Sequence, residues 1–290
     1  MQVVSNPLSA KITELVEKST RRLVVSAVTL AGGAFDTKQV ILSDGSKVVV
    51  KLPKQNGQNL VVEGKSVDYL SSHTKLPQPK VFYVGDDAFI HEFILADGVL
   101  TFASEPQAAK MVAELHQNTS SDFGFDFDTV YQGMVQPNKK SKKWLPFFAE
   151  NRLMFIAKKA MDAGFLPVET GKKIEKLASH LSKYIDEPPK PCLIHGDINS
   201  STILCYKGEV KSFVDPAICY ADNEFEFIHT GKQSSFSKKF FNIYHEIIPL
   251  RGGFFEVRLP IYNLFPILCD IKNGKTQDMD IVVQTLSRFV

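Results

Sequence analysis

With 290 residues the chain can bury a large core, and a mass of 32.4 kDa suits two lobes better than one. A composition of 44 % hydrophobic and 23 % charged residues is that of a soluble globular protein, and a net charge of +2 gives no reason to expect nucleic acid or a membrane surface as partner. The four cysteines lack CxxC spacing, no run approaches 18 apolar residues, and the N-terminus lacks a basic start followed by an apolar core; these features predict a cytoplasmic protein with reduced, buried thiols.

Asn6-Pro7 followed by Leu8, Ile12, Leu15 and Val16 predicts an opening amphipathic helix, with a cap and a first-turn proline. Three β-prone runs follow, at 23–30, 39–42 and 47–52, with Ser43-Asp44-Gly45 as a hairpin turn between the second and third. Gly32 and Gly33 stand at the tip between the first and second. A glycine pair lets backbone amides approach phosphate oxygens, although an ordinary turn is the plainer reading of the pair alone. Lys51 ends the run Val48-Val49-Val50, and Glu63 falls in the first turns of a helix predicted from Asn59 to Leu70. A strand lysine paired to a helix glutamate holds the α- and β-phosphates in kinase-like proteins.

Val81 to Val84 and Ala88 to Ile90 read as a further hairpin, running into His91-Glu92-Phe93-Ile94 and a polar stretch. The domain boundary is expected at 93–98, as a linker whose backbone groups face an adenine. It divides an N-lobe of residues 1–94 from a C-lobe of residues 95–290. His91 has no second ligand at usable spacing and reads as a packed side chain rather than a metal ligand. Beyond the linker the pattern is helical at 105–116, 144–163, 169–184, 236–248 and 255–271. Between these lie an aromatic loop or lid at 120–136 and a solvated basic run at Lys139 to Lys143. No internal repeat is present.

The remaining stretch, Cys192 to Glu226, carries the chemistry. Asp197 in His195-Gly196-Asp197 and Asp215 in Asp215-Pro216-Ala217 each close a short apolar run, on either side of a hairpin turning at Lys207-Gly208. The fold-back puts two carboxylates at the mouth of one cleft. Transfer from a magnesium nucleotide uses one carboxylate to orient the acceptor hydroxyl and one to hold the metal on the phosphates. Asp197 takes the first role and Asp215 the second, with ATP and Mg²⁺ as cofactors.

These motifs, with Glu63-x-x-Ser66, Glu92-Phe93 and Trp144-x-x-Phe147-Phe148-x-x-x-Arg152, resemble the fructosamine kinase family within the aminoglycoside and choline kinase-like superfamily. The resemblance runs from about Gly32 to Leu268. It implies an α+β, bilobal protein kinase-like fold, with a small antiparallel-sheet N-lobe and a larger, mostly helical C-lobe. It also implies ATP-dependent phosphorylation of a glycated-amine or other small-molecule acceptor, at O3 of a ketosamine. Glu92 and Phe93 fall at the hinge beside the nucleotide. Thr202 stands where the family carries an asparagine on the second Mg²⁺, and Asn199 replaces a tryptophan. These departures leave two other readings open: a nucleotide-binding regulatory relative, or a kinase of choline or an aminoglycoside. The sequence carries no signal for oligomeric state.

Overall fold

A computed structural model of the protein describes residues 8–30, 35–54, 59–98, 100–228 and 236–290. Asn6, Pro7, Gly32 and Gly33 lie outside the described residues. The first helix, α1 (Ala10–Thr20), is capped by Ser9, whose hydroxyl accepts a hydrogen bond from the Ile12 N–H. The cap expected at Asn6 therefore gives way to one three residues later.

Strands β1 (Val24–Thr29), β2 (Asp36–Leu42), β3 (Lys47–Leu52), β4 (Val81–Val84) and β5 (Phe89–Glu92) form an antiparallel sheet of order β1-β2-β3-β5-β4. Between β3 and β4 runs α2 (Leu60–His73). The alternation of β3 decides which side chains meet which partner. Val48 and Val50 point to the outer face, where Ile12 and Val16 of α1 cover them. Val49 and Lys51 point to the other face and line a cleft. On α2 the buried positions Leu60, Glu63, Gly64, Val67 and Leu70 form one stripe, so Glu63 is an acid on a face that is otherwise apolar or small. Gly64 permits the close approach of α2 to the sheet, since a Cβ there would lie 2.5 Å from a methyl of Val84.

After residue 92 the chain crosses to a mostly helical part with its own apolar cluster. Here α3 (Glu105–His116) is followed by a short hairpin of β6 (Thr129–Tyr131) and β7 (Met134–Gln136), inside the segment expected to be a loop. The helix predicted over 144–163 is present as α4 (Trp144–Phe148), a π-helical turn at Ala149–Met154 and α5 (Phe155–Asp162). The widened turn contains Arg152, whose buried guanidinium donates to the Pro137 carbonyl at 2.6 Å and to Asn138 Oδ1 at 2.8 Å. Next comes α6 (Val168–Ser179), shorter than expected because the chain tightens into a 3₁₀ turn at Leu181–Lys183.

Strands β8 (Cys192–Ile194), β9 (Ile203–Tyr206), β10 (Glu209–Phe213) and β11 (Cys219–Ala221) pair as β9 with β10 and β8 with β11. The helices α7 (Lys238–Ile247), α8 (Leu259–Tyr262), α9 (Leu264–Lys272) and α10 (Met279–Phe289) complete the chain. Among the described residues no helix is long and apolar enough to cross a membrane.

Candidate active site

The hairpin of β9 and β10 turns on Lys207 and Gly208, at φ of 51° and 77°, as its two-residue tip requires. Ile203 pairs with Phe213 at its base, so the segments bearing Asp197 and Asp215 leave it side by side. Two backbone bonds stitch them: Val214 N–H donates to the Thr202 carbonyl at 3.0 Å, and Ala217 N–H to the His195 carbonyl at 2.8 Å. Gly196 is obligatory at this seam. It sits at φ +84°, and a Cβ would lie 2.2 Å from the Ala217 carbonyl oxygen.

A buried polar chain behind the seam fixes its position. Glu226 accepts from the His195 N–H at 2.6 Å with one carboxylate oxygen and from the Gly196 N–H at 2.8 Å with the other. His116 on α3 donates from Nε2 to the same carboxylate at 3.2 Å and accepts at Nδ1 from the Tyr244 hydroxyl at 2.7 Å. That hydroxyl in turn accepts from the Asn223 amide at 2.8 Å. Every member is paired, which is the condition under which a buried polar network stiffens a fold instead of weakening it.

The catalytic-loop candidate Asp197 and the metal candidate Asp215 line the same cleft, of about 1280 Å³, between the sheet and the helical part. Lys51 reaches across it and is ion-paired both to Glu63 on α2 and to Asp215. Burial works against the Lys51 charge, but the two carboxylates override it and raise the pKa. Burial likewise raises Glu63, with Asp215 adding to the effect. The Asp215 side chain is 49 % exposed, toward the cleft. Desolvation would raise its pKa, and the Lys51 ammonium outweighs this and holds it below the usual carboxylate range. One ammonium thus serves two carboxylates, and the cluster carries an excess negative charge at its open side. Asp215 also adopts the left-handed conformation, at φ 61°, which is uncommon for a residue with a side chain and recurs at functional turns.

Thr202 also lines the cleft, but its hydroxyl is engaged within the loop. It donates to the Asp197 carbonyl at 2.8 Å and accepts from the Asn199 N–H at 2.9 Å, leaving one lone pair for a cation. Asn199 turns its amide to Asp197 Oδ1 at 3.3 Å and accepts from the Ser201 N–H at 2.8 Å. Glu92 and Phe93 border the cleft at the linker. The Glu92 carboxylate points away from it and accepts from the Lys80 N–H at 3.3 Å, while Phe93 N–H donates to the Lys47 carbonyl.

The cleft is also lined by residues to which the sequence assigned no role. Gln132 and Gly133 come from the tip of the β6–β7 hairpin, and Asp270, Lys275 and Asp278 from the end of α9 and the turn into α10. Lys275 pairs with Asp270 at 3.2 Å. No sequence spacing links these positions to Asp197; only the fold does.

With the site in view, comparison with known proteins is decisive. The sequence model of the fructosamine kinase family matches residues 7–289. The chain belongs to that family. A Vibrio parahaemolyticus protein described as a ketoamine kinase is 29 % identical over 263 residues, covering 87 % of this chain and 88 % of that one. The chloroplastic protein-ribulosamine 3-kinase of Arabidopsis thaliana is 27 % identical over 252 residues, covering 83 % of this chain and 75 % of that one. Among solved structures, a Thermobifida fusca protein described as a fructosamine-3-kinase superposes with a TM-score of 0.85 at 21 % identity, over 97 % of this chain and 98 % of that one. The gentamicin complex of an aminoglycoside phosphotransferase gives 0.63 at 16 % identity, over 98 % and 96 %. The fold of this fructosamine kinase family member is therefore kinase-like and α+β, and the chain is a phosphotransferase.

Proposed function

We propose that this fructosamine kinase family member transfers the terminal phosphoryl group of ATP to O3 of a ketosamine, a fructosyl- or ribulosyl-amine. The observation that carries the reading is the contact of Lys51 with both Glu63 and Asp215 in the cleft that Asp197 lines. Residues 1–94 hold the nucleotide and residues 95–290 hold the acceptor in this reading. Asp197 orients the acceptor hydroxyl and takes its proton as the new P–O bond forms and the bond to the ADP oxygen breaks. Lys51, steadied by Glu63, neutralises the phosphates, while Gly32, Gly33, Glu92 and Phe93 border the nucleotide.

Mg²⁺ fits the donor set. Asp215 presents a half-exposed carboxylate, and this ion is held by one or two carboxylates together with phosphate oxygens and water. Among the described residues no group of three His, Cys, Asp or Glu is arranged to hold a metal by itself, which suits an ion that enters with the nucleotide. When bound, the cation offsets the charge of the phosphates. Asp215 would hold it, with Thr202 as a neutral oxygen nearby. The engagement of the Thr202 hydroxyl inside the loop favours a second reading, a protein that binds nucleotide but turns over slowly or not at all.

A phosphorylation assay with fructosyl-lysine and ribulosyl-lysine, with the product mapped by phosphorus–carbon NMR couplings, tests the proposal. Phosphate on O3 is expected. Nucleotide binding with no transfer to any ketosamine supports the second reading, and phosphate on another hydroxyl or only on choline or an aminoglycoside overturns the acceptor assignment.

A further inference from the structure

The helix that carries Glu63 is tied to both parts of the molecule. The buried stripe of α2 divides between two apolar clusters. Leu60 and Val67 pack with Phe35 and Phe89 on the sheet side, whereas Leu70 enters the cluster of the helical part, with Tyr69 packed against it. There the Tyr69 hydroxyl meets the Tyr220 hydroxyl at 2.9 Å, across 151 positions of sequence. Phe125 seats both rings, edge-on to Tyr69 with centroids 4.9 Å apart and stacked on Tyr220 at 5.9 Å.

Tyr220 is fixed from two sides. On β11 it stands opposite Leu193 of β8, the strand that leads into His195-Gly196-Asp197, and it exchanges two backbone hydrogen bonds of 2.9 Å with Gly124. The same segment carries Asp215 upstream and is stitched to the His195 carbonyl through the Ala217 N–H. Either hydroxyl of the tyrosine pair can donate. Burial first, and the bond to Tyr69 second, raise the Tyr220 pKa, so this phenol stays protonated at neutral pH. Apolar packing is non-directional and leaves a helix free to slide or roll, whereas a hydrogen bond sets a distance and an angle. Glu63 reaches Lys51 from the same helix, about 9 Å along the axis from Tyr69, so what fixes one position fixes the other.

We propose that Tyr69 and Tyr220 are positioning residues for nucleotide binding: their hydroxyl pair sets α2 against the strand that follows Asp215 and so holds Glu63 on Lys51 before any ligand arrives. The inference rests on the phosphate-binding reading of Lys51 given above. With the pair in place the ammonium is already aimed, and without it part of the nucleotide's binding energy goes into ordering α2.

Tyr69→Phe, Tyr220→Phe and the double variant test this, because they remove only hydroxyls and keep both rings on Phe125. Affinity for magnesium-ATP is measured by calorimetry and stability by urea unfolding on the same samples. Each single variant should bind ATP about three- to tenfold more weakly than the parent. The double variant should be about as weak as either single one, since one lost hydroxyl already breaks the pair. In a Glu63→Gln background Tyr69→Phe should cost less than about twofold in further affinity, because the pair acts through Glu63. A merely structural pair would show in urea and leave ATP affinity alone. Variants that bind ATP as tightly as the parent, losses that add in the double variant, or a full further loss in the Glu63→Gln background overturn the positioning role and leave the nucleotide site standing. A parent that binds no nucleotide, or a Glu63→Gln protein that binds ATP as tightly as the parent, overturns the reading of Lys51 and the proposal with it.

Discussion

Two ionic clusters in this protein, each joining carboxylates to cations, differ in charge balance and in access to solvent. In the helical part, Asp222 and Glu224 meet Arg251 and Arg258, two acids against two bases. Tyr262 adds its hydroxyl to Asp222 at 2.7 Å and accepts from the Trp144 indole at 2.8 Å. This cluster is balanced in charge, both its carboxylates are buried, and it ties the Trp144 helix to the turn after β11. The cluster at Lys51 has one base for two acids, and Asp215 stands half open to the cleft. A closed, balanced cluster holds a fold together, whereas an open, unbalanced one leaves room for a cation or a ligand. Ionic contact by itself marks neither role; the charge balance and the open side do.

The contrast can be broken by mutation. The largest expected effect is on chemistry: Asp197→Asn should lower turnover by about 10² to 10⁴-fold, with nucleotide affinity unchanged in calorimetry. A variant that keeps the parent's turnover removes Asp197 from its proposed role. Next in size is stability. Glu224→Gln in the balanced cluster leaves the buried Arg258 and the partly buried Arg251 undercompensated and should cost about 3–5 kcal/mol in urea unfolding. Glu63→Gln in the open cluster should cost about 1 kcal/mol or less, because Lys51 and Asp215 remain a matched pair, while ATP affinity falls. Equal losses at the two positions would erase the distinction.

A pH series sharpens the same comparison. Burial raises the Glu63 pKa above its unfolded value, so the contribution of this group is fully present below the ordinary glutamate range and is lost as pH rises through the folded value. The stability of the parent relative to Glu63→Gln should therefore decline from about pH 4 toward neutrality. A difference that stays flat with pH means that Glu63 is not perturbed. The smallest effect concerns thiols. All four cysteines are free and buried, and burial pushes Cys192 up to about 11, so none should react with a thiol reagent at pH 8 until the protein is unfolded. Labelling of folded protein, followed by mass spectrometry, checks this.

The parts of the site that were legible in the sequence are those with local grammar. Val48-Val49-Val50-Lys51 announces a strand with a terminal cation, and the Lys207-Gly208 turn announces the fold-back that sets Asp197 beside Asp215. The apolar run that ends at Ile271 is the last helix the sequence predicts, and α10 lies beyond it, with Val282, Leu286 and Phe289 as its buried positions. The helix at 144–163 was expected to be regular, and the π turn around Arg152 depends on what the guanidinium meets at Pro137 and Asn138, which no local pattern encodes. His116 looks like any helix histidine. Its link to Glu226 spans 110 residues and exists only once α3 packs behind β8.

Residue order by itself determined the alternation of β3, the turn that pairs the two aspartates and the helical stripe that holds Glu63, because each depends on neighbours a few positions apart. Only the packed chain decided that Lys51 touches Asp215, that Gln132 and Asp270 line the same cleft as Asp197, and that His91 is buried in its wall. Those outcomes arise from contacts between segments far apart along the chain, where burial and charge are set jointly by all the partners and by none of them in isolation.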